Sequence, residues 1–177
     1  MTAPIAAARQ VTVIQGEFHV SDEPGLVQST LLGSCVSVCL HDPAAGVGGL
    51  NHFLLPDRVG TDTATLKHGT NAMELLINGL LRMGGHRDRL VAKVFGGSRM
   101  SDAFQDIGAS NIDFARRFLK AESIPCLSED VGGTLARRIR FVPATGQAQV
   151  MRVPRAEAPA ERMPPPVAAA PETITLF

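Results

Sequence analysis

Ser29-Thr30-Leu31-Leu32-Gly33-Ser34-Cys35-Val36-Ser37-Val38-Cys39-Leu40, continued by His41-Asp42-Pro43-Ala44-Ala45-Gly46 and then Val47-Gly48-Gly49-Leu50-Asn51-His52-Phe53-Leu54-Leu55, is the stretch that decides the fold. Cys35, Ser37 and Cys39 alternate with Val36, Val38 and Leu40. A period of two puts the sulfurs on one strand face and the aliphatics on the other. His41 to Gly46 has turn chemistry, with Pro43 fixing its own backbone angle and Gly46 free to adopt a positive one. The apolar run Val47–Leu55 then returns beside the first strand as the second arm of a hairpin. Cys35 lies near the start of the first arm and His52 toward the end of the second. Antiparallel pairing predicts them side by side, with β-carbons about 4.5–5.5 Å apart. A thiol and an imidazole so placed share a proton, and the resulting thiolate is a nucleophile. Gly33 suits a tight bend whose amides face a developing oxyanion.

Cysteine is also a common buried core residue, and on spacing alone Cys35 reads more readily as core than as a nucleophile, and His52 as a packed histidine. Cys39 and Cys126 are read that way, Cys126 as part of a buried strand beginning at Ile124-Pro125-Cys126-Leu127. His19, His41, His68 and His86 stand in polar or turn-like surroundings and are expected at the surface. No histidines or cysteines have the short spacing of zinc ligands, so neither a metal nor another cofactor is expected.

Outward from the hairpin, the chain reads as an α/β layer system. Met73, Leu76, Ile77, Leu80 and Leu81 recur at helical spacing, and Gly84-Gly85 provides a stop. Leu90–Phe95 is a short apolar strand, followed by Gly96-Gly97 where the backbone can approach another element closely. Asn111 is placed as the cap of a second helix, with Ile112, Ala115 and Leu119 inward and Arg116, Arg117 and Lys120 outward. Ile124–Asp130 reads as a strand. Arg138–Pro143 and Gln147–Val153 form a hairpin through Ala144-Thr145-Gly146. Glu129 and Asp130 are candidates to position a substrate or to pair with Arg137.

Five ordered blocks carry a family resemblance: Leu32-Gly33-Ser34-Cys35-Val36; Gly48-Gly49-Leu50-Asn51-His52-Phe53-Leu54-Leu55-Pro56; Phe95-Gly96-Gly97-Ser98-Arg99-Met100; Ile107-Gly108-Ala109-Ser110-Asn111; and Glu129-Asp130-Val131-Gly132-Gly133. Together, from about Val11 to Val153, they resemble the chemoreceptor glutamine deamidases of bacterial chemotaxis, the CheD family. The resemblance implies a single-domain layered α/β sandwich with mixed or antiparallel sheets and two main helices. It implies Cys35 as nucleophile and His52 as general base and acid. The family's third member is a threonine six residues before the cysteine. Ser29 holds that position and Thr30 adjoins it, so either hydroxyl is a candidate to orient the imidazole. The implied reaction hydrolyses glutamine side-chain amides in the helical cytoplasmic region of a methyl-accepting chemotaxis receptor, through a thioester and with release of ammonia. A phosphatase of the CheC type is an implied partner. A non-catalytic binding module of the same fold, and a cysteine amidase with another substrate, are the alternatives.

Composition sets the remaining bounds. The chain has 177 residues, enough for one core, and 17 basic residues balance 17 acidic ones, which leaves no cationic field for nucleic acid or an anionic membrane. No apolar run approaches the roughly 20 residues of a membrane helix. The odd cysteine count, three, fits a reducing cytoplasm rather than a disulfide framework. Residues 1–10 are expected to be a flexible start and 11–153 the domain. The Pro/Ala-rich 154–177 reads as a flexible tail, ending in the alternating Glu172-Thr173-Ile174-Thr175-Leu176-Phe177.

Overall fold

The computed structural model describes residues 9–55, 63–100, 107–158 and 160–162. The expected hairpin is its centre. Strand β4 (Val36–Asp42) pairs antiparallel with β5 (Val47–Asn51) through the turn 43–46. Gly46 adopts φ +63° there, and the Asp42 carboxylate accepts hydrogen bonds from the backbone N–H of Ala44 (3.0 Å) and Ala45 (3.1 Å). The same carboxylate accepts from the His86 N–H at 2.8 Å and pairs with Arg89 at 2.8 Å. Burial alone would raise the Asp42 pKa. The Arg89 guanidinium and the three N–H donors outweigh burial and hold the carboxyl below the ordinary carboxylate range.

On its other edge β4 pairs antiparallel with β6 (Val91–Gly96), which pairs parallel with β7 (Cys126–Val131). The crossover between β6 and β7 is the helix α2 (Ile107–Ala121). With β2 (Phe18–Ser21) on β5, the five-stranded sheet runs β2-β5-β4-β6-β7. A second, four-stranded sheet is built from β1 (Arg9–Thr12), β3 (Leu26–Leu32), β8 (Ala136–Val142) and β9 (Gln147–Val153) in the order β1-β3-β8-β9. Its β1–β3 pair is parallel and the others antiparallel. Both sheets are therefore mixed.

The alternation in β4 divides the interior into two layers. Val36, Val38 and Leu40 pack with Met73, Leu76, Ile77 and Leu80 of helix α1 (Thr63–Arg82) and with Ile112, Ala115 and Leu119 of α2. Cys35 and Cys39 face the other way, into a layer with Leu32, Leu50, Phe95, Ile139 and Phe141 between the sheets. The architecture is sheet, sheet, helix pair, with β4 shared by both layers. Each fully buried aliphatic side chain contributes about 1.5–3 kcal/mol, so a one-residue slip of β4 would cost most of both layers. Among the described residues no helix is long and apolar enough to cross a membrane.

Several expectations are corrected. Asn111 does not cap α2: the helix begins at Ile107, and Asn111 lies within it, fully buried. Cys126 is exposed, because β7 is an edge strand that shows much of its surface to solvent. His19, His41 and His68 are half-buried rather than superficial, and His86 alone of the four is exposed. Glu129 pairs with Arg116 at 2.7 Å and not with Arg137, whereas Asp130 does pair with the buried Arg137, at 2.8 Å, as one of its expected roles, and also with Arg152 at 3.1 Å. Pro56 and the terminal 172–177 peptide lie outside the described residues.

Asp42→Ala removes the acceptor of three backbone donors and the partner of Arg89 in one step. It is expected to lower unfolding stability by about 2–3 kcal/mol. Urea denaturation should show this as a lower midpoint with an unchanged slope.

Candidate active site

Just beyond the ends of the β4–β5 ladder, Val36 and Phe53 form one further antiparallel bridge and exchange both backbone hydrogen bonds at 3.0 Å. The bridge keeps the register of the ladder, in which Cys39 opposes Leu50. Counted from it, Cys35 and His52 are diagonal neighbours on one face. They are not directly opposed, as the sequence reading had them: the turn is two residues too long for that register. Diagonal positions remain within reach of a long or aromatic side chain. Both residues are buried and line one cleft of about 410 Å³, together with Val13, Gln15, Leu31 and Gly33 of the domain and residues 160–162 of the C-terminal segment.

Thr30 and Ser29 are separated by the strand. Alternation along β3 sends their side chains to opposite faces, and Thr30 is the one that meets the histidine. Its Oγ1 stands 2.9 Å from His52 Nδ1 and donates to the Val13 carbonyl at 2.7 Å. A hydroxyl has a single proton, so with that proton committed to Val13 it accepts from the imidazole. His52 Nδ1 is thus the protonated nitrogen, and the Val13 carbonyl lies 3.5 Å from it as a second acceptor. Nε2 then holds the free lone pair. Burial lowers the His52 pKa. The Val13 contact and the carboxylates of Glu161 and Glu17 oppose this without reversing it. The backbone of His52 is fixed as well, its N–H donating to the Glu17 carbonyl (3.0 Å) and its carbonyl accepting from Gly16 N–H (2.7 Å).

The Cys35 loop is held by its carbonyls. Gly33 O accepts from Ser98 N–H at 2.9 Å, Ser34 O from Asn111 Nδ2 at 2.9 Å, and Cys35 O from Gly97 N–H at 2.7 Å. In a trans peptide the N–H points opposite to the C=O. Pinning the Gly33 and Ser34 carbonyls to the scaffold therefore turns the N–H groups of Ser34 and Cys35 toward the cleft. Gly96 and Gly97 make this possible: with φ of +103° and +66° they bring the chain against the Cys35 carbonyl, where a β-carbon on Gly96 would collide, and against Ile112 of α2, where one on Gly97 would. Asn111 also accepts from the Leu55 N–H at 2.9 Å, so one buried amide ties the cysteine loop to the segment that follows His52. Phe53 reinforces the same join by packing edge-on against Phe114 of α2, with ring centroids 5.9 Å apart.

The Cys35 thiol is pushed well above its ordinary range, first by burial and then by the Glu161 carboxylate. Cys39, on the same strand face but away from any base, is pushed up to about 12 by burial. Cys35 and His52 thus rest as a neutral thiol and a neutral imidazole. Sequence reasoning missed Gln15, Asn111 and Glu161. Gln15 had no motif around it, and Glu161 stands in the tail. Asn111 did leave a trace, as a polar residue on the inward face shared with Ile112 and Ala115.

The CheD chemotactic sensory transduction model matches residues 54–152. A Caulobacter sp. protein named "Probable chemoreceptor glutamine deamidase CheD" is 51% identical over 168 residues, 93% of this chain and 88% of its own. One from Agrobacterium fabrum with the same name is 51% identical over 148 residues, covering 81% and 80%. The chain belongs to the CheD family. Among solved structures, Bacillus licheniformis hypothetical protein YfiH aligns with a TM-score of 0.44 at 15% identity, over 64% of this chain and 49% of that one. The matched span holds residues that brace the cleft, Leu55, Gly96, Gly97 and Asn111, while Thr30, Cys35 and His52 precede it.

The tautomer argument is open to direct measurement. Long-range 15N–1H NMR is expected to show His52 as the Nδ1-protonated neutral form at pH 7, titrating below the 6.5 of a free imidazole. Thr30→Val should weaken the Nδ1 preference, leaving only the longer Val13 contact to favour it.

Proposed function

We propose that this protein is a protein-glutamine deamidase that converts glutamine side chains of a methyl-accepting chemotaxis receptor, in its helical cytoplasmic region, to glutamate. The observation that carries the reading is a buried Thr30–His52 hydrogen bond beside Cys35 in a cleft into which two neighbouring backbone N–H groups project. Relatives at about half identity, named for this activity, support it.

Each residue is assigned its role from the chemistry of its atoms. His52 Nε2 takes the Cys35 proton as sulfur attacks the amide carbon, so that two neutral groups become an ion pair only as the bond forms. Negative charge builds on the amide oxygen, and the N–H groups of Ser34 and Cys35 receive it. The imidazolium then protonates the leaving nitrogen, the C–N bond breaks and ammonia departs. Water, deprotonated by His52, cleaves the thioester and leaves glutamate. Thr30 keeps the ring in the tautomer that presents Nε2. Gly33 leaves the space that a β-carbon would take from the acyl group.

The test is site-specific Gln-to-Glu conversion in the cytoplasmic fragment of a receptor from the same organism, mapped by peptide mass spectrometry. Cys35→Ala is expected to abolish it, and His52→Gln to lower kcat by about 10²–10⁴. Thr30→Val should lower kcat by about one to two orders of magnitude through misplacement of the ring, whereas Ser29→Ala stays near wild type. The lowered His52 pKa means the base form persists into mild acid, so kcat/KM should lose activity only below pH 6.5. Binding of the fragment without conversion would point to a binding module, and conversion of free glutamine or small peptides to a different amidase.

A further inference from the structure

The cleft is occupied by the chain itself. Glu161 Oε1 accepts from the Ser34 N–H and, at 3.2 Å, from the Cys35 N–H, while Oε2 accepts from the Ser34 hydroxyl. One carboxylate oxygen thus bridges the two amides directed into the site. It stands against Gly33, where a β-carbon would come within 2.5 Å of it. The next residue is held on both sides of its backbone by one side chain. Gln15 Nε2 donates to the Arg162 carbonyl, and Gln15 Oε1 accepts from the Arg162 N–H at 3.3 Å. The same Oε1 is 3.8 Å from Cys35 Sγ. These contacts join positions 127 and 147 residues apart in sequence. Apart from the Gln15–Cys35 approach, they end on Glu161 and its neighbour.

A glutamate side chain is what deamidation of a glutamine leaves behind. Its carboxylate has an oxygen where the amide oxygen of substrate would sit, and a second oxygen in place of the departed nitrogen. We infer that Ala160-Glu161-Arg162 is an internal product mimic in the substrate site: Glu161 fills the glutamine side-chain subsite, Gln15 clamps the backbone of the following residue, and a substrate must displace the segment to reach Cys35. The identification of Glu161 as product-like rests on the deamidase reading; the covering of Cys35 does not. The carboxylate also favours the protonated thiol, so its departure both opens the site and eases ionisation of Cys35.

The same geometry turns one substitution into a substrate. Glu161→Gln places a glutamine amide beside Cys35. Attack of Sγ on its side-chain carbon, loss of the nitrogen as ammonia with the proton carried by His52, and hydrolysis of the thioester by water regenerate glutamate at position 161.

Two measurements on the full chain test this. The first is the alkylation rate of Cys35 by iodoacetamide at neutral pH, followed by peptide mapping, which needs no turnover. Glu161→Ala is expected to raise it at least about tenfold, through loss of the carboxylate beside the thiol together with the opened site; an unchanged rate overturns the proposal. The second is the fate of the side chain at position 161 in Glu161→Gln. Conversion back to glutamate there, absent when Cys35→Ala is added, supports the product mimic. Persistence of the introduced glutamine in a preparation that converts the receptor fragment overturns it. Failure of both wild type and Glu161→Ala to convert the fragment would instead remove the deamidase reading, and the alkylation rate would then decide the covering of Cys35 alone.

Discussion

Three carbonyls, those of Gly33, Ser34 and Cys35, are each bound from behind by a different donor of the β6–α2 region: the Ser98 amide, the Asn111 side chain and the Gly97 amide. Everything the cleft can do depends on that constraint. A loop whose carbonyls were free to turn to water would present N–H and C=O groups to a reacting oxygen in turn, and the average field would be weak. Here the peptide planes cannot rotate without giving up a buried hydrogen bond, whose loss leaves a polar group unsatisfied at about 1–3 kcal/mol. The field at the thiol is therefore set during folding, and no reorganisation is needed as charge develops.

The layering explains why the constraint can be met. Because β4 has one face toward the helices and one toward the second sheet, α2 packs close to the start of β4 while β3 passes on the other side. Asn111 reaches the cysteine loop from the helical side, and Thr30 reaches His52 from the sheet side. A two-layer fold would lose one of the two contacts. Asn111 is costly to bury in an apolar helix face unless its amide is satisfied. Its contacts with Ser34 O and Leu55 N–H supply that satisfaction and at the same time fix the spacing between the two segments that carry Cys35 and His52.

Much of this was legible in the sequence because it depended on local patterns. Period-two alternation around Cys35, the Asp-Pro turn and the helical stripes of α1 and α2 each declare themselves within about a dozen residues. What escaped was set by register and by contacts distant in sequence. The choice between Ser29 and Thr30 turns on which face of β3 looks toward the imidazole, and that face is fixed by pairing with β1 and β8, not by distance from Cys35. The diagonal placement of Cys35 and His52 follows from a turn length whose register a sequence does not print. Asn111 carried a helix-cap signal that lost to its own burial. Composition reads the tail only as poor in core-forming residues and is silent on a single carboxylate that finds two directed amides.

Those amides explain why a carboxylate of all groups is found there. On the deamidase reading, a site arranged for a transient negative oxygen is complementary to any oxygen that already bears negative charge, and would hold the acid product as well as the transition state. The ionic states of its neighbours decide which occupant allows chemistry. With Glu161 in place, the carboxylate charge favours the proton on Cys35 and adds to the effect of burial. With a neutral amide in its place, the amides face an uncharged oxygen and can gain fully only when sulfur attacks and charge appears. The difference between product-like and substrate-like occupants is thus one unit of charge at one position. That charge holds the carboxylate on the two amides and adds to burial in keeping the proton on Cys35.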